Sequence, residues 1–336
     1  MSKKKITIEA KLAEKRAEAQ LLKKKYGEAL AVITERNSEI KSLLALKKKF
    51  SPSAILPKSS VSSEAVAFIV ASDWHIEEVV KPSTVSGLNE FNPRIAKERS
   101  DLFFLNSVKL LDNMKRDIEI KTVVLCLLGD FISGNIHEEL VEVAAERPTH
   151  AILTAQSLLA GGIEHFLKNT EFDFIVVCKV GNHSRITSQS RHGTETGNSL
   201  EYLMYHSLAQ KFENERRIKF LIEDGYHTYL NVFDRVFRIH HGHGIRYMGG
   251  VGGLSIPLNK AIAQWNKGVR ADYDIMAHWH TFSDFGNAIV NGSLIGHSSY
   301  SIAIKANYEK PKQIFFLLDR KRDKTIVCPI IVENGR

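Results

Sequence analysis

Cysteine is scarce in this chain. Only three of the 336 residues are cysteines, Cys126, Cys178 and Cys328, and they are scattered and odd in number. This pattern excludes the disulfide framework of a small secreted protein and favours a reducing compartment. Each thiol lies in or beside an apolar run with the pattern of a buried strand, where a free cysteine is usually a small core residue. We therefore expect no thiolate ligand in any metal site.

Long apolar runs are also absent. No stretch approaches the roughly 18 residues that a transmembrane helix needs, and the lysine-rich start lacks the apolar core and cleavage site of a signal peptide. We expect a cytoplasmic protein without a membrane partner. Apolar residues make up 43% of the chain and charged residues 25%, which is typical of a globular protein. The length predicts one catalytic domain with a smaller appendage.

Short polar motifs follow apolar runs at five places. The runs VAFIVAS, KTVVLCLL, FDFIVVCKV, RVFRI and YDIMA are rich in Val, Ile and Phe, as interior strands are. Ligands bind beyond the carboxyl ends of strands in open α/β sheets, so we expect these motifs to meet at one site. The motifs are Asp73-Trp74-His75, Gly129-Asp130, Gly181-Asn182-His183, His241-Gly242-His243 and His278-Trp279-His280.

The residue types of these motifs indicate divalent cations. Carboxylate, amide oxygen and imidazole suit Mn, Fe, Zn or Mg. One tetrahedral or octahedral ion cannot use all the candidate ligands, whereas two ions that share a bridging carboxylate can. The candidate ligands are Asp73, His75, Asp130, Asn182, His241, His278 and His280.

The motifs, in this order, resemble those of the calcineurin-like metallophosphoesterase family over roughly residues 65–305. The resemblance implies an α/β fold, namely a two-sheet sandwich flanked by helices. It also implies two bound divalent ions, and we expect manganese first. It implies that the first ion is held by Asp73, His75, Asp130 and His280. It implies that the second is held by Asn182, His241, His278 and the shared Asp130.

The resemblance gives His183 a separate role, as a non-ligand that stabilises the phosphate or protonates the leaving oxygen. The family usually has an acidic residue after Gly-Asn-His, and this chain has Ser184. An acidic group there would orient His183 and raise its pKa. The last motif usually opens with Gly, and Ala277 stands there. Because Ala is also small, we expect the last motif to retain its metal binding.

The mid-chain ligand has three candidates, because His240, His241 and His243 are close in sequence. Alternation along a strand would place His240 and His241 on opposite faces. The family's His-Gly-His pattern favours His241, with His243 as a supporting group or phosphate contact. The remaining histidines are expected to be surface or satisfied core residues, and the two candidates for a place near the metals are His137, in the polar loop after Asp130, and His297, which ends the run GSLIGH after the last motif. The polar loop 184–198 is the expected substrate-contacting loop.

Basic charge is concentrated at the start of the chain. Residues 1–58 hold about fifteen Lys and Arg against about six Glu, whereas the net charge of the whole chain is +8. Residues 1–50 have the heptad spacing of an amphipathic helix, with Leu12, Ala19, Tyr26, Ile33 and Ile40 in register. This helix is expected to contact nucleic acid or to pair with itself. Residues 51–63 are predicted to be a linker and 64–336 the catalytic domain.

Between the motifs, helices are predicted over Pro93–Arg116, Thr149–Lys168, Asn198–Phe212 and Leu254–Arg270. Alternating strands and helices predict parallel strands. After His280, the runs AIVNGSLI, YSIAIKA, QIFFLL and TIVCPIIV are expected to be strands that close the second sheet.

The preferred hypothesis is a phosphodiester-hydrolysing enzyme that acts on DNA, similar to the family's DNA-repair exonucleases and phage-encoded members. It depends on the basic helix and on the absence of the Gly-Asp-x-x-Asp-Arg-Gly pattern of protein Ser/Thr phosphatases. One alternative is a phosphodiesterase or phosphatase for a small or nucleotide substrate, with the helix used for assembly. A second is a metal-stabilised binding or scaffold protein. The sequence lacks a Gly-x-Ser-x-Gly elbow, which argues against a serine hydrolase.

Overall fold

The computed structural model describes residues 15–16, 19–38, 52–56, 64–246 and 253–333. The chain divides into two compact units, Met1–Pro52 and Ser53–Arg336. In the first unit, residues 19–38 form helix α1, whose residues are all exposed. Most of the rest of the helix predicted over 1–50 lies outside the described residues. No helix among the described residues combines the length and apolar character that crossing a membrane requires.

The second unit contains two six-stranded sheets flanked by helices. The strands are β1 Ser53–Ile55, β2 Glu64–Ala71, β3 Glu119–Leu127, β4 Asp173–Cys178, β5 Ile218–Ile222, β6 Thr228–Val232, β7 Arg235–Ile239, β8 Tyr273–Met276, β9 Ser283–Asp284, β10 Ala288–Val290, β11 Lys312–Asp319 and β12 Asp323–Ile331. The helices are α2 Pro93–Met114, α3 Glu138–Val143, α4 Pro148–Asn169, α5 Leu200–Lys211, α6 Ser255–Trp265 and α7 Ser299–Ala303.

The first sheet has the strand order β12-β11-β2-β3-β4-β5, in which β2 to β5 are parallel. Ala71 at the end of β2 pairs with Leu127 of β3, and Leu127 pairs with Cys178 of β4. Three of the polar motifs therefore begin at the same level of one sheet edge. The predicted parallel arrangement is confirmed for these strands.

The second sheet has the order β1-β6-β7-β8-β10-β9, with β7, β8 and β10 parallel. Ile239 of β7 pairs with Ile275 of β8, so the motifs that contain His241 and His278 also leave from one edge. Parallel pairing in both sheets thus brings residues distant in sequence to common edges.

The two sheets pack face to face. In β2, Val66, Phe68 and Val70 contribute to the core shared with β7, and the Phe68 ring lies 4.7 Å from the Phe237 ring. The alternate residues of β2 pack instead with the core that includes α2, α4 and α5. A strand buried on both faces is apolar throughout, as this one is. On the other side, α6 packs against the second sheet through Leu258. The predicted two-sheet sandwich with outer helices is confirmed.

The four predicted helices are present, with differences at their ends. Asn92 begins α2, because its side chain accepts a hydrogen bond from the Ile95 N–H at 3.1 Å and Pro93 occupies the first turn. Helix α6 ends at Trp265 rather than at 270. There the side-chain oxygen of Asn266 accepts the Ala271 N–H at 3.1 Å and so stabilises a turn in place of further helix.

Two expectations for the end of the chain were wrong. The run YSIAIKA forms α7 in place of a strand, because Ser298 and Ser301 make a capping box that begins a helix. Strands β11 and β12 extend the first sheet and do not close the second, since β11 pairs with β2 through Ile314 and Val70. Of the four runs after His280, only AIVNGSLI contributes a strand, β10, to the second sheet.

Residues 53–55, inside the segment predicted to be a linker, form β1. This strand pairs in parallel with β6, and Ile55, which is 4% exposed, packs in the core between the sheets. Most of the remaining linker residues lie outside the described ranges.

Candidate metal centre

Five of the predicted ligands have left-handed backbone conformations. The φ angles are 52° at Asp73, 48° at His75, 53° at Asp130, 74° at His278 and 50° at His280. Non-glycine residues rarely adopt this region, which costs on the order of 1–3 kcal/mol each, and such residues concentrate at functional sites. The turns after β2, β3 and β8 therefore redirect these ligand side chains.

Asp130 lies at the centre of the predicted ligands. Its Oδ2 is 2.9 Å from His241 Nε2 and 4.0 Å from His183 Nε2, and its Oδ1 accepts the His183 backbone N–H at 2.8 Å. Close packing requires glycine nearby, because a Cβ atom at Gly181 would overlap Asp130 Oδ1. Burial alone would raise the pKa of Asp130, but the charge of the neighbouring His241 holds it well below its ordinary value.

The first ligand group contains Asp73, His75 and His280. The Nε2 atoms of His75 and His280 are 3.3 Å apart, and His280 Nε2 is 3.4 Å from Asp73 Oδ1. Asp73 Oδ1 is buried and accepts no hydrogen bond from the described residues. Nitrogen and carboxylate atoms that converge in this way fit the donor set of one cation.

The second ligand group contains Asp130, Asn182, His241 and His278. Asp130, His241 and His278 each offer a ligand atom, and these atoms lie within 4.8 Å of one another. Asn182 Oδ1 is buried and has no hydrogen-bond partner among the described residues. An unpaired buried amide oxygen costs about 1–3 kcal/mol, which a cation ligand would offset. The residues of both groups therefore fit divalent cations, although their role as ligands stays a prediction.

The protonation states of His75, His183 and His278 are consistent with metal binding, whereas His241 is protonated. Burial is the main cause that lowers the pKa of His75, His183 and His278, so these rings are neutral at pH 7. A neutral ring has a free lone pair, which metal ligation requires. At His241 burial also favours the neutral form, but the charge of Asp130 outweighs it and raises the pKa to about 10.

Hydrogen bonds select the nitrogen that faces the site. His75 Nδ1 donates to Ser133 Oγ at 3.0 Å, because that hydroxyl itself donates to Glu78 Oε2 at 3.1 Å. His241 Nδ1 donates to the Leu128 carbonyl at 2.6 Å. In both rings Nε2 is therefore the atom that faces the site, as is usual when a partner orients a metal-binding histidine. A cation at His241 would displace the Nε2 proton that lies against Asp130. Ser133 and Glu78 were not identified from the sequence, although both lie within three residues of a motif.

A buried carboxylate, Glu201, connects two ligand loops. Its Oε1 accepts the Phe131 N–H at 2.7 Å and its Oε2 accepts the Gly181 N–H at 2.8 Å. These donors lie next to Asp130 and Asn182 in sequence, so one side chain from α5 fixes the distance between two predicted ligands. Burial raises the pKa of Glu201 to about 7. The sequence contained no signal for this contact, since nothing near Glu201 indicates a loop partner.

Glu77 supports the loop after Asp130 in the same way. Its Oε1 accepts the N–H groups of Ser133 and Gly134 at 2.8 and 2.9 Å. Burial raises the pKa of Glu77 to about 7. The first and second motif loops are therefore joined by a carboxylate, as the second and third are by Glu201.

A cavity of about 240 Å³ opens over the site, and His183 is one of its walls. His183 Nδ1 donates to the Ser133 carbonyl at 3.0 Å, which leaves Nε2 as its free atom. His137 and Tyr300 also line this cavity. The His297 ring lies 5.7 Å from the Tyr308 ring and does not line the cavity. Ser184, where the family usually has an acidic residue, is hydrogen-bonded to Ser199 Oγ at 2.6 Å.

The three mid-chain histidines contact different groups. His241 lies against Asp130, whereas His240 Nε2 is 3.5 Å from Asp274 Oδ1 and His243 Nε2 is 3.0 Å from Glu195 Oε2. Of the three, only His241 directs a nitrogen to Asp130, with its Nε2 2.9 Å from Oδ2. These positions favour the assignment of His241 that the family pattern indicates.

No protein-family model and no curated protein matches the sequence. Among solved structures, the chain is similar to a protein serine/threonine phosphatase from Saccharomyces cerevisiae with similarity to human phosphatase PP5. The sequence identity is 8%, the match covers 85% of each chain, and the TM-score is 0.32. Similarity at this level supports no conclusion about activity.

Proposed function

We propose that the protein is a dinuclear metal-dependent phosphoesterase of the calcineurin-like metallophosphoesterase family. The observation that supports this most strongly is the convergence of two ligand groups on Asp130. The groups come from five loops, in the order and residue types that the family's motifs have. Buried ligand atoms such as Asn182 Oδ1 have no other partner among the described residues, which argues for bound cations.

The metal ions are proposed to be divalent, with manganese the first choice and Mg, Zn and Fe as alternatives, because the donors are oxygen and imidazole nitrogen without thiolate. Bound there, two such ions would stabilise charge on a phosphoryl group and activate a water for attack on phosphorus. Asp73, His75 and His280 would hold the first ion, and Asn182, His241 and His278 the second. Asp130 would be shared.

Residues of this chain orient His183 and stabilise the arrangement of the ligand loops. The Ser133 carbonyl holds the His183 ring so that its Nε2 lies 4.0 Å from Asp130 Oδ2, at the wall of the cavity. From this position His183 can contact a phosphoryl oxygen or the leaving oxygen of a substrate above Asp130. Glu201 keeps the Asp130 and Asn182 loops at a fixed separation.

The proposed substrate is a phosphodiester bond in DNA. The support is the excess of positive charge in residues 1–58, which suits a polyanion. The chain also has Gly129-Asp130-Phe131-Ile132-Ser133 in place of the phosphatase pattern Gly-Asp-x-x-Asp-Arg-Gly. A small phosphodiester is the second candidate, because the cavity over the site is small, about 240 Å³.

A substrate panel tests these proposals. Labelled single-stranded and duplex DNA, RNA, a bis-aryl phosphodiester and an aryl phosphomonoester are incubated with the metal-free protein after addition of Mn²⁺, Mg²⁺ or Zn²⁺. We expect DNA cleavage that Asp130→Asn abolishes. Cleavage of the small diester alone would select the second candidate. Metal binding that stabilises the fold, with no turnover of any substrate, would overturn the enzyme assignment and favour a scaffold protein.

A further inference from the structure

A second cluster of ligand-type side chains lies beside the candidate metal centre. The cluster contains His192, Glu195 and His243, and their ligand atoms are all within 4.8 Å of one another. Glu195 Oε2 is 3.0 Å from His243 Nε2 and 3.4 Å from His192 Nδ1. Two imidazoles thus approach the same carboxylate oxygen from different parts of the chain.

Burial distinguishes this cluster from a surface ion pair. The side chains of Glu195 and His243 are 8% and 5% exposed, whereas His192 is 55% exposed. The Tyr226 ring covers the cluster, 4.8 Å from the His192 ring and 5.1 Å from the His243 ring. The cluster is therefore enclosed on the protein side and open to solvent at His192.

The spacing fits a tetrahedral cation. Two imidazoles and one carboxylate form a donor set that holds zinc with a fourth position open. With bonds of about 2.0–2.1 Å, neighbouring ligand atoms of a tetrahedral ion lie about 3.3 Å apart. Both imidazoles are within hydrogen-bond distance of Glu195 Oε2, His243 Nε2 at 3.0 Å and His192 Nδ1 at 3.4 Å. A cation bound between the three groups would replace these two hydrogen bonds.

The cluster shares no ligand with the seven residues predicted above. The His243 ring lies 5.6 Å from the His241 ring and 6.3 Å from the His278 ring, so the two sites are neighbours. His192 and Glu195 belong to the loop between β4 and α5, whereas His243 follows β7. An ion here would join that loop to the edge of the second sheet.

We propose that His192, Glu195 and His243 form a separate binding site for a zinc-type divalent cation, which fixes loop 184–199 beside the dinuclear centre. The site does not require phosphoesterase activity, and its ion has a structural effect on the loop. A fourth ligand would come from solvent, on the side of the exposed His192.

The test is a metal count on the full chain. The protein is stripped with a chelator, saturated with Zn²⁺, freed of excess ion, and analysed by elemental mass spectrometry. His192→Ala and Glu195→Gln should each bind one ion fewer than the wild type. His150→Ala, which removes an exposed histidine of α4, should bind the wild-type number. Equal counts in all four proteins would overturn the proposal.

Two further measurements separate this site from the dinuclear centre. In an Asp130→Asn background, His192→Ala should still remove one zinc ion. Zn²⁺ should slow proteolysis within residues 184–199 of the wild type but not of His192→Ala. If no substrate is hydrolysed and these differences persist, the proposed function fails and this site stands. If hydrolysis occurs and the variants match the wild type in both measurements, the proposed function stands and the zinc site is wrong.

Discussion

Arg238 and Asp274 form a buried, two-point ion pair between β7 and β8. Arg238 Nε lies 2.7 Å from Asp274 Oδ1 and Arg238 Nη2 lies 2.9 Å from Oδ2, and the side chains are 0% and 1% exposed. The two residues are also register partners in the sheet. This pair fixes the alignment of the two strands from which the loops of His241 and His278 leave.

Removal of one partner should destabilise the protein strongly. Asp274→Asn leaves the Arg238 charge buried without its counter-ion, and breaking a buried pair costs about 3–5 kcal/mol. The loss is measured as the difference in the free energy of unfolding between the wild type and Asp274→Asn, obtained from urea titration. Glu98→Gln breaks the exposed Arg94–Glu98 pair, whose side chains are 73% and 57% exposed, and should change stability by about 1 kcal/mol or less.

The same pair predicts a pH dependence. Burial opposes ionisation of Asp274, but hydrogen bonds from His240 and Arg238 lower its pKa below the ordinary value. A lowered folded-state pKa gives stability that is present above the unfolded value, about 3.9, and is lost as the pH falls through the folded value. The stability difference between wild type and Asp274→Asn should therefore be constant near neutrality and shrink below about pH 4. A difference that grows in acid would contradict the assignment.

Asp130→Asn tests the shared ligand. The substitution removes the charge at which both ligand groups meet, so metal content should fall and hydrolysis should drop to background while the circular dichroism spectrum is kept. Asp101→Asn, at an exposed aspartate of α2, is the matched control and should behave as wild type. Two tightly bound ions together with substantial activity in Asp130→Asn would contradict the dinuclear assignment.

His183→Ala separates chemistry from ligation. If His183 contacts the substrate and not a metal, the rate should fall by about 10²–10⁴-fold, as for an acid–base group, with metal content unchanged. Asn182→Ala is the comparison, since it should lose metal. Equal metal loss in both variants, measured by elemental analysis, would show that His183 is itself a ligand.

Glu201→Gln tests the connection between the ligand loops. An amide has one acceptor oxygen, so one of the two N–H groups at Phe131 and Gly181 loses its partner. Loss of a group that supports metal ligands typically costs 10–100-fold in metal affinity. Titration with Mn²⁺ should show a loss of this size, and Glu213→Gln, at an exposed position, should show none. Unchanged affinity would mean that Glu201 has only a packing role.

Deletion of residues 1–50 tests the basic segment. It removes most of the excess positive charge and none of the predicted metal ligands. If the segment contacts DNA, affinity should fall and the dependence of log affinity on log salt should become shallower by about 0.9 per lost phosphate contact. Hydrolysis of a small diester should stay near the full-length rate. Unchanged DNA affinity with an altered oligomeric state would assign the segment to assembly.

Much of the fold could be predicted because it depends on local patterns. The alternation of Val66, Phe68 and Val70 with Ala67 and Ile69 marks a strand buried on both faces, and that is how β2 packs. The four helices predicted between the motifs are also present, with differences at their ends. The run YSIAIKA was wrongly predicted to be a strand because its apolar residues alternate as in a strand. The capping box at Ser298 favours the helix that forms there.

Contacts between distant residues could not be predicted in this way. The place of β11 depends on pairs such as Ile314 with Val70, which no local periodicity encodes. The contacts of Glu201 with two loops, and of Glu195 with His192 and His243, likewise depend on loop geometry.

The sequence by itself determined the order of the polar motifs, their position after apolar strands and the donor types that they offer, because these are properties of neighbouring residues. Only the tertiary structure decided that His241, rather than His240 or His243, faces Asp130, and that Ser133 and Glu201 hold the ligand loops. The physical reason is that strand pairing and left-handed turns set the direction of each side chain. Both are stabilised by contacts across the whole domain.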